Sequence, residues 1–511
     1  MTALEVPRAG IEYLAHQEAG IRWMMAREAE DAPVCRGGIL GDDMGLGKTF
    51  QMIGLMKNSP LALRTLIVCP PAVISAWTDE LRACGYGVSV IAQGAASWTA
   101  PSPASSSEAT VWLTTYPKMS MKIYSRFLAS SAFGRIVLDE GHIIRNGKAT
   151  SRWMSAMAVG SAPSVKSRWI LSATPVQNGF NDWKNLCLWL GIDGGGGVDV
   201  AEIGPTIMLR RTMAELRDAI AALPPPPRYV SHDLSIPEGT KEGKLFRALC
   251  DQLSGAIDSK TVSALIKLEL YMRIQQFLVH PQVYIDSMRA KFKTAYPRPD
   301  WSTGSAASGS AGEGAGGAGA TKWTAVMTEL ALSVAQKVGT IVFCNFRAEM
   351  DRVEAAAAAM GASVFSIRGG MGTDKVGESV SGASDAVRNG ESVVVVVQIV
   401  SGGAGLNLQF CRRILFMSQH WNPAVVHQAV GRAVRIGQRA VVDVHMFSVV
   451  DDVMDNLDRR MINIHLRKIA GAQEICESLY EGYAPLQEIP TQRFADDSEA
   501  EAAEGEATTT E

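Results

Sequence analysis

The sequence predicts an α/β protein of two lobes, each a mostly parallel sheet flanked by helices. The prediction rests on two sets of short apolar runs and on the helical patterns that separate them. A continuous apolar run of about four to six residues suits a strand buried on both faces, as in parallel sheets with crossover helices. Polar, small or charged residues follow directly on several runs. Open parallel sheets bind ligands at those carboxyl ends, so the chemistry is expected there.

The first set is TLIVCP (65–70), VWLTTY (111–116), RIVLDE (135–140) and RWILSAT (168–174). Pro224-Pro225-Pro226-Pro227 then forms a stiff extended spacer, because proline fixes φ and cannot sit in a helix interior. Residues 239–281 read as helical and lie between the two sets, a helical insertion at the lobe junction. In residues 302–321, 17 of 20 are Gly, Ala or Ser, a composition too poor in apolar surface to order itself. The second set follows: GTIVFCN (339–345), SVFSI (363–367), SVVVVV (392–397) and RRILFMS (412–418). The expected organisation is a first lobe over 1–224, a helical region and flexible linker over 225–321, a second lobe over 322–475, and an extension over 476–511 ending in a disordered acidic tail.

Composition narrows the class. The 511 residues are 47% hydrophobic and 20% charged, which excludes collagen, coiled coil and wholesale disorder. No apolar run approaches the roughly 18 residues of a membrane span, and MTALEVPRAG has no signal-peptide pattern. Net charge is −3, but residues 495–511 hold seven acids and no base, so residues 1–494 carry +4. The eight cysteines are never closer than 15 residues, which excludes C-x-x-C zinc modules and gives no disulfide framework. No zinc and an intracellular, reducing setting are therefore expected.

The strongest local signal is Gly41-Asp42-Asp43-Met44-Gly45-Leu46-Gly47-Lys48-Thr49. Closely spaced glycines such as Gly45 and Gly47 let backbone N–H groups close around phosphate oxygens. Lys48 would reach the β- and γ-phosphates and the Thr49 hydroxyl would ligate Mg²⁺. The strict phosphate-loop pattern has Gly six residues before the lysine, where this chain has Asp42. Arg135–His142 is an apolar strand ending in Asp139 and Glu140. Asp139 can hold Mg²⁺ through its water shell, and Glu140 can orient and deprotonate an attacking water. In this order the two signals point to nucleoside-triphosphate hydrolysis. Gln428, Gly431, Arg432 and Arg435 fit Q-x-x-G-R-x-x-R, and the spacing predicts that Gln428, Arg432 and Arg435 share one helix face. The alternative is a solvated basic face.

GILGDDMGLGKT, LDEGH and LSATPVQN (171–178) resemble motifs I, II and III of superfamily-two helicases, and more narrowly the Swi/Snf (Snf-two) DNA translocases. IVCPPAVISAWTDEL (67–81) and Thr114-Thr115-Tyr116 are similar to motifs Ia and Ib. IVFCNF (341–346) and SGGAGLNL (401–408) are similar to motifs IV and V. Met208–Thr212 resembles the segment leaving lobe one, and Arg273–Pro281 the helix entering lobe two. The likeness runs from about residue 11 to about residue 470. Three departures stand out: Asp43 where the family usually has Glu, SAT rather than TGT in motif III, and DEGH in motif II. DEGH resembles the branch of repair and transcription-termination relatives that often carries a RING, which the cysteine spacing excludes here.

The resemblance implies two RecA-like lobes with ATP and Mg²⁺ between them. It implies that Arg432 and Arg435 act as arginine fingers and that Gln428 and Gln17 bind nucleotide, Gln17 at the adenine edge. His142, Ser172 and Thr174 would couple the ATP site to motif III. Pro70, Thr115, Asn345 and Ser401 would face a DNA phosphate backbone. It implies a monomeric motor on double-stranded DNA, sequence-nonspecific and working with chromatin, transcription or repair proteins, in a nucleus or a viral replication site. A strand-separating helicase, an inactive DNA-binding scaffold and an RNA track are the rival readings.

Overall fold

The structure, a computed structural model, describes residues 3–29, 36–59, 61, 64–91, 111–147, 150–177, 179–192, 202–259, 261–292, 300–301, 320–399, 406–418, 420 and 422–450. Most of the Gly/Ala/Ser segment, the acidic tail and Ser401 lie outside these residues.

Two all-parallel sheets form the body. The first has seven strands: β1 (Gly37–Leu40), β2 (Thr65–Cys69), β3 (Val88–Val90), β4 (Val111–Thr115), β5 (Arg135–Asp139), β6 (Ser167–Leu171) and β7 (Met208–Leu209). Their spatial order is β3-β4-β2-β5-β6-β1-β7. The second has six: β8 (Arg228–Leu234), β9 (Thr340–Cys344), β10 (Ser363–Ile367), β11 (Val393–Gln398), β12 (Arg413–Phe416) and β13 (Asp443–Val449), in the order β10-β11-β9-β12-β13-β8. Helices flank both sheets, so this is the expected two-lobe RecA-like architecture. All eight apolar runs singled out from the sequence are strands.

The central strands are covered on both faces. Val393–Val397 are buried throughout, with Val393, Val395 and Val397 in one core layer and Val394 and Val396 in the other. That two-sided burial is why the run reads as uniformly apolar. Pro224–Pro227 are non-helical and lead directly into β8. The helices Lys241–Asp258, Ala264–Val279 and Pro281–Phe292 build a satellite core of Phe246, Phe277, Tyr284 and Trp301 that reaches Val449 of β13. Cys69, Cys84, Cys187, Cys250, Cys344 and Cys411 are free and buried.

At the amino ends of β2, β5 and β6, a polar network is sealed inside lobe one. Glu28, on the helix Ala15–Ala29, accepts two hydrogen bonds from the Arg135 guanidinium at 2.7 and 2.6 Å. It also accepts from Ser59, Ser167 and Trp169, while Arg135 donates to Thr65. Both side chains are essentially inaccessible, at 1% and 0% exposure. Burial pushes the Glu28 carboxyl up, but the hydrogen bonds and charge of Arg135 outweigh it and hold it below the ordinary range. Removing one partner strands a buried charge, so Arg135→Ala is expected to lower stability by about 3–5 kcal/mol in denaturant unfolding. Because the Glu28 folded-state pKa is depressed, its contribution is complete above the pH where a free glutamate ionises. It is lost as pH falls through the folded value.

Candidate active site

The phosphate-loop candidate leaves β1 and turns into the helix Lys48–Asn58, so Lys48 and Thr49 stand at that helix's amino end. Gly47 has φ 81°, which strains any residue with a Cβ, and a Cβ there would also crowd Gln17 Nε2 at 2.5 Å. Gln17 is held on the loop: its amide donates to the Leu46 carbonyl at 3.4 Å, and its Oε1 accepts from the Leu14 N–H at 3.1 Å. Lys48 Nζ donates to the carbonyls of Asp42 (2.7 Å) and Asp43 (3.2 Å). Burial lowers its pKa against the pull of Glu140, Asp42, Asp139 and Asp43.

Asp42, the departure from the strict glycine pattern, is fully buried and has a structural use. Its carboxylate accepts from Arg211 Nε at 2.9 Å and Nη2 at 2.5 Å, and from Gln51 Nε2 at 2.9 Å. Arg211 also donates to the His16 carbonyl. Its neighbour Arg210 donates to the carbonyls of Gly41 (3.0 Å) and Ala173 (2.7 Å). Asp43 accepts from the Met213 N–H at 3.1 Å. The MLRRT segment thus fixes the loop from the side where the chain leaves lobe one, a role that sequence reading did not assign to these arginines.

Asp139 ends β5, and Glu140 follows in the left-handed region at φ 52°. A residue with a Cβ pays roughly 1–2 kcal/mol for that conformation. The turn is held by Tyr116 Oη donating to the Asp139 carbonyl (2.8 Å) and Trp77 Nε1 donating to Asp139 Oδ2 (2.8 Å). Neither aromatic was a sequence-predicted site residue. Their only signal was a place within the stretches resembling motifs Ia and Ib. Burial, and then the adjacent Glu140 charge, raise Asp139 to about 6. Burial also pushes Glu140 up, but the hydrogen bond and charge of His142, with Arg432 and Lys48, hold it below the ordinary range. Of the two carboxyls, Glu140 therefore keeps its negative charge more firmly.

Motif III meets this pair through His142. Its Nδ1 lies 3.3 Å from Glu140 Oε2 and 3.1 Å from Ser172 Oγ. Ser172 Oγ accepts from the Thr174 N–H (3.2 Å), and Thr174 Oγ1 accepts from Gln177 Nε2 (3.1 Å). Gln177 Oε1 then accepts from Asn422 Nδ2 of lobe two at 3.1 Å. A continuous polar chain joins Glu140 to the second lobe. Gln177 and Asn422 were not singled out in the sequence.

Lobe two closes over the same point. Gln428, on the helix Pro423–Val430, donates to Glu140 Oε2 at 3.5 Å. The expectation that Gln428, Arg432 and Arg435 share one helix face needs correction. The helix stops at Val430, and Arg432 and Arg435 stand on the turns that follow. At that end the lobes approach closely: a Cβ at Gly431 would sit 2.5 Å from Met44 Sδ of the phosphate-loop candidate. Backbone bonds shorten there to Arg432 N–H→Ala429 O and Ala433 N–H→Val430 O, both 3.1 Å. Both guanidiniums still face the two carboxylates. Burial lowers Arg432 to about 10 and lowers Arg435, against the pull of Glu140 and Asp139. Arg435 Nη1 donates to the Leu406 carbonyl at 3.0 Å.

The remaining candidates lie at strand ends. Pro70 follows β2 and lines a cleft of about 650 Å³ between the lobes, with Glu140, His142, Arg145, Arg152, Arg368 and Gln428 among its walls. Thr115 Oγ1 accepts from the Lys118 N–H and caps a short helix. Asn345 donates its N–H to buried Glu349 at 2.8 Å.

Two family descriptions match in the order of the lobes: an SNF2-related domain over residues 16–194 and a helicase conserved C-terminal domain over residues 321–437. The chain thus carries an SNF2-related domain followed by a helicase C-terminal domain. The SNF2-related family is one of helicase-like, generally ATP-hydrolysing proteins with a P-loop NTPase fold. A "Probable global transactivator" of Orgyia pseudotsugata multicapsid polyhedrosis virus is 24% identical, covering 88% of this chain and 88% of its own. "DNA repair protein RAD5B" of Arabidopsis thaliana is 26% identical over 86% of this chain and 45% of its own, so this SNF2-related chain spans under half of that relative. The solved "Sulfolobus solfataricus SWI2/SNF2 ATPase core in complex with dsDNA" is 19% identical over 94% of this chain and 100% of its own, with a TM-score of 0.37. Among the described residues, no helix is long and apolar enough to cross a membrane.

Proposed function

We propose that this SNF2-related chain hydrolyses ATP and uses the cycle to move along duplex DNA without reading its sequence. The observation that carries the reading is the meeting of two sets of side chains in one cleft. Lys48, Asp139 and Glu140 come from lobe one, and Gln428, Arg432 and Arg435 from lobe two. Neither lobe alone holds the phosphate-binding lysine, the base and the fingers.

The residues fit a nucleoside triphosphate with its metal. The glycine-bounded turn at a helix amino end suits phosphate, and Thr49 with Asp139 would hold Mg²⁺, which neutralises phosphate charge. Gln17 sits on the loop where it can reach an adenine edge. Glu140 accepts a proton from water as the water oxygen attacks the γ-phosphorus and the bond to the bridging oxygen breaks. Arg432 and Arg435 offset the charge that grows on the γ-phosphoryl oxygens. The products leave the cleft with less charge holding the lobes together, which lets it reopen.

Pro70, Thr115, Asn345 and Ser401 are the proposed backbone contacts of the DNA track, positioning phosphate without base readout. The polar chain from Glu140 through His142, Ser172, Thr174 and Gln177 to Asn422 is the proposed route by which lobe movement and hydrolysis sense each other. Gln177→Ala and Asn422→Ala are each expected to lower DNA-stimulated turnover roughly two- to tenfold, the scale of one hydrogen bond. The double variant should lose no more than the worse single, because both remove one bond. Additive losses would break the route. The names of the relatives, a transactivator and a repair protein, support a role in transcription or repair. The deciding assay is ATPase activity with duplex DNA, single-stranded DNA, RNA and nucleosomes in parallel. Duplex should stimulate most, and equal or greater stimulation by single strands or RNA would replace the proposed track.

A further inference from the structure

On the lobe-two sheet, away from the ATP cleft, two histidines from neighbouring strands meet a glutamate from a covering helix. His232 lies on β8 and His445 on β13, and these strands pair in parallel. Glu329 lies on the helix Thr321–Ala335. His232 Nε2 is 2.9 Å from His445 Nδ1, and His445 Nδ1 is 3.7 Å from a Glu329 carboxylate oxygen. One ligand atom from each of the three lies within 4.8 Å of the others.

We propose that His232, His445 and Glu329 form a binding site for a zinc-class divalent ion. A tetrahedral ion with bonds of about 2.0–2.1 Å sets its ligand atoms roughly 3.3 Å apart. The separations of 2.9 and 3.7 Å bracket that spacing and the third is within 4.8 Å, so side-chain adjustment alone can close the site. Two imidazoles and one carboxylate are a recurring zinc donor set that leaves a fourth position for water.

The surroundings agree. Burial holds both imidazoles below the ordinary histidine range, against the pull of Glu329 on both, of Asp233 on His232 and of Asp443 on His445. Arg413 and the neighbouring ring act with burial on His445. Neutral imidazole is the form that ligates a metal. Phe447 stacks on the His232 ring at 4.3 Å and fixes its plane. The Glu329 side chain keeps 22% of its surface exposed, which leaves a path in from solvent. Cysteine spacing excluded a thiolate zinc module, and this cluster contains no cysteine. The ion would join β8, the first strand of lobe two after the proline spacer, to β13 and the covering helix, so its effect is to stabilise lobe two.

The test uses the full chain, freed of metal with a chelator and exchanged into clean buffer. Zn²⁺ is titrated while thermal unfolding is followed, and Co²⁺ while visible absorption is followed. Zn²⁺ at hundredfold excess over its dissociation constant should raise the midpoint by about 5–10 °C. Co²⁺ should give the ligand-field bands of low-coordinate nitrogen and oxygen ligation without a thiolate charge-transfer band. His232→Ala and Glu329→Gln should each lose most of the shift and at least tenfold in affinity. Glu329→Gln changes a partly exposed helix residue, so circular dichroism matching the parent shows that it is folded. An equal shift in parent and variants, a thiolate band, or no shift and no absorption would each overturn the site.

Discussion

Glu140→Gln should stop ATP turnover while leaving ATP and DNA binding intact. The side chain keeps its length, and glutamine tolerates the left-handed backbone at φ 52° no worse than glutamate does. What disappears is the ionised carboxylate that His142, Arg432 and Lys48 hold below the ordinary pKa range. General bases contribute roughly 10²–10⁴-fold, so single-turnover hydrolysis should fall by that factor or more. A fluorescent nucleotide should bind within a few-fold of the parent. Lys48→Ala is the contrasting control, because it removes the proposed phosphate ligand and should weaken nucleotide binding itself. Turnover of Glu140→Gln within tenfold of the parent would show that the base lies elsewhere.

Arg435→Ala should lower kcat by roughly 10³-fold or more, the scale of removing an arginine finger. The guanidinium comes from lobe two and faces Glu140 and Asp139 of lobe one. On the proposed reading it acts on charge that develops during reaction more than on ATP in its ground state. Arg435→Lys should rescue poorly, since an ammonium keeps the charge but loses the planar fork. DNA affinity measured without nucleotide should hardly change. If Arg435→Ala instead loses DNA binding and keeps basal ATPase, this turn serves the DNA track.

How much of this was legible in the sequence follows from where each residue sits. The run SVVVVV announces β11 because both of its faces are buried and no polar residue needs to alternate. RYVSHDL does not announce β8, because an edge strand is only partly covered and keeps polar side chains. The ordered motifs named Lys48, Asp139, Glu140 and Gln428, and the fold brings these four near one another, since each is fixed by its own strand or helix end. The helix assigned to Arg432 and Arg435 ends instead at Val430, beside the place where Gly431 meets Met44 of the other lobe, a long-range approach that no local pattern carries. Trp77 on Asp139, Arg211 on Asp42 and Asn422 on Gln177 were invisible for the same cause. Their partners are 62, 169 and 245 residues away, and only the folded sheets bring them together.

The central claim is ATP-driven movement along duplex DNA, and displacement of a triplex-forming strand from a blunt duplex measures it most directly. The parent protein should release the third strand at a rate that requires ATP and grows with duplex leading up to the triplex. Glu140→Gln should bind the same DNA and release nothing. DNA-stimulated ATP hydrolysis without strand release, or release by Glu140→Gln equal to the parent's, would contradict the account.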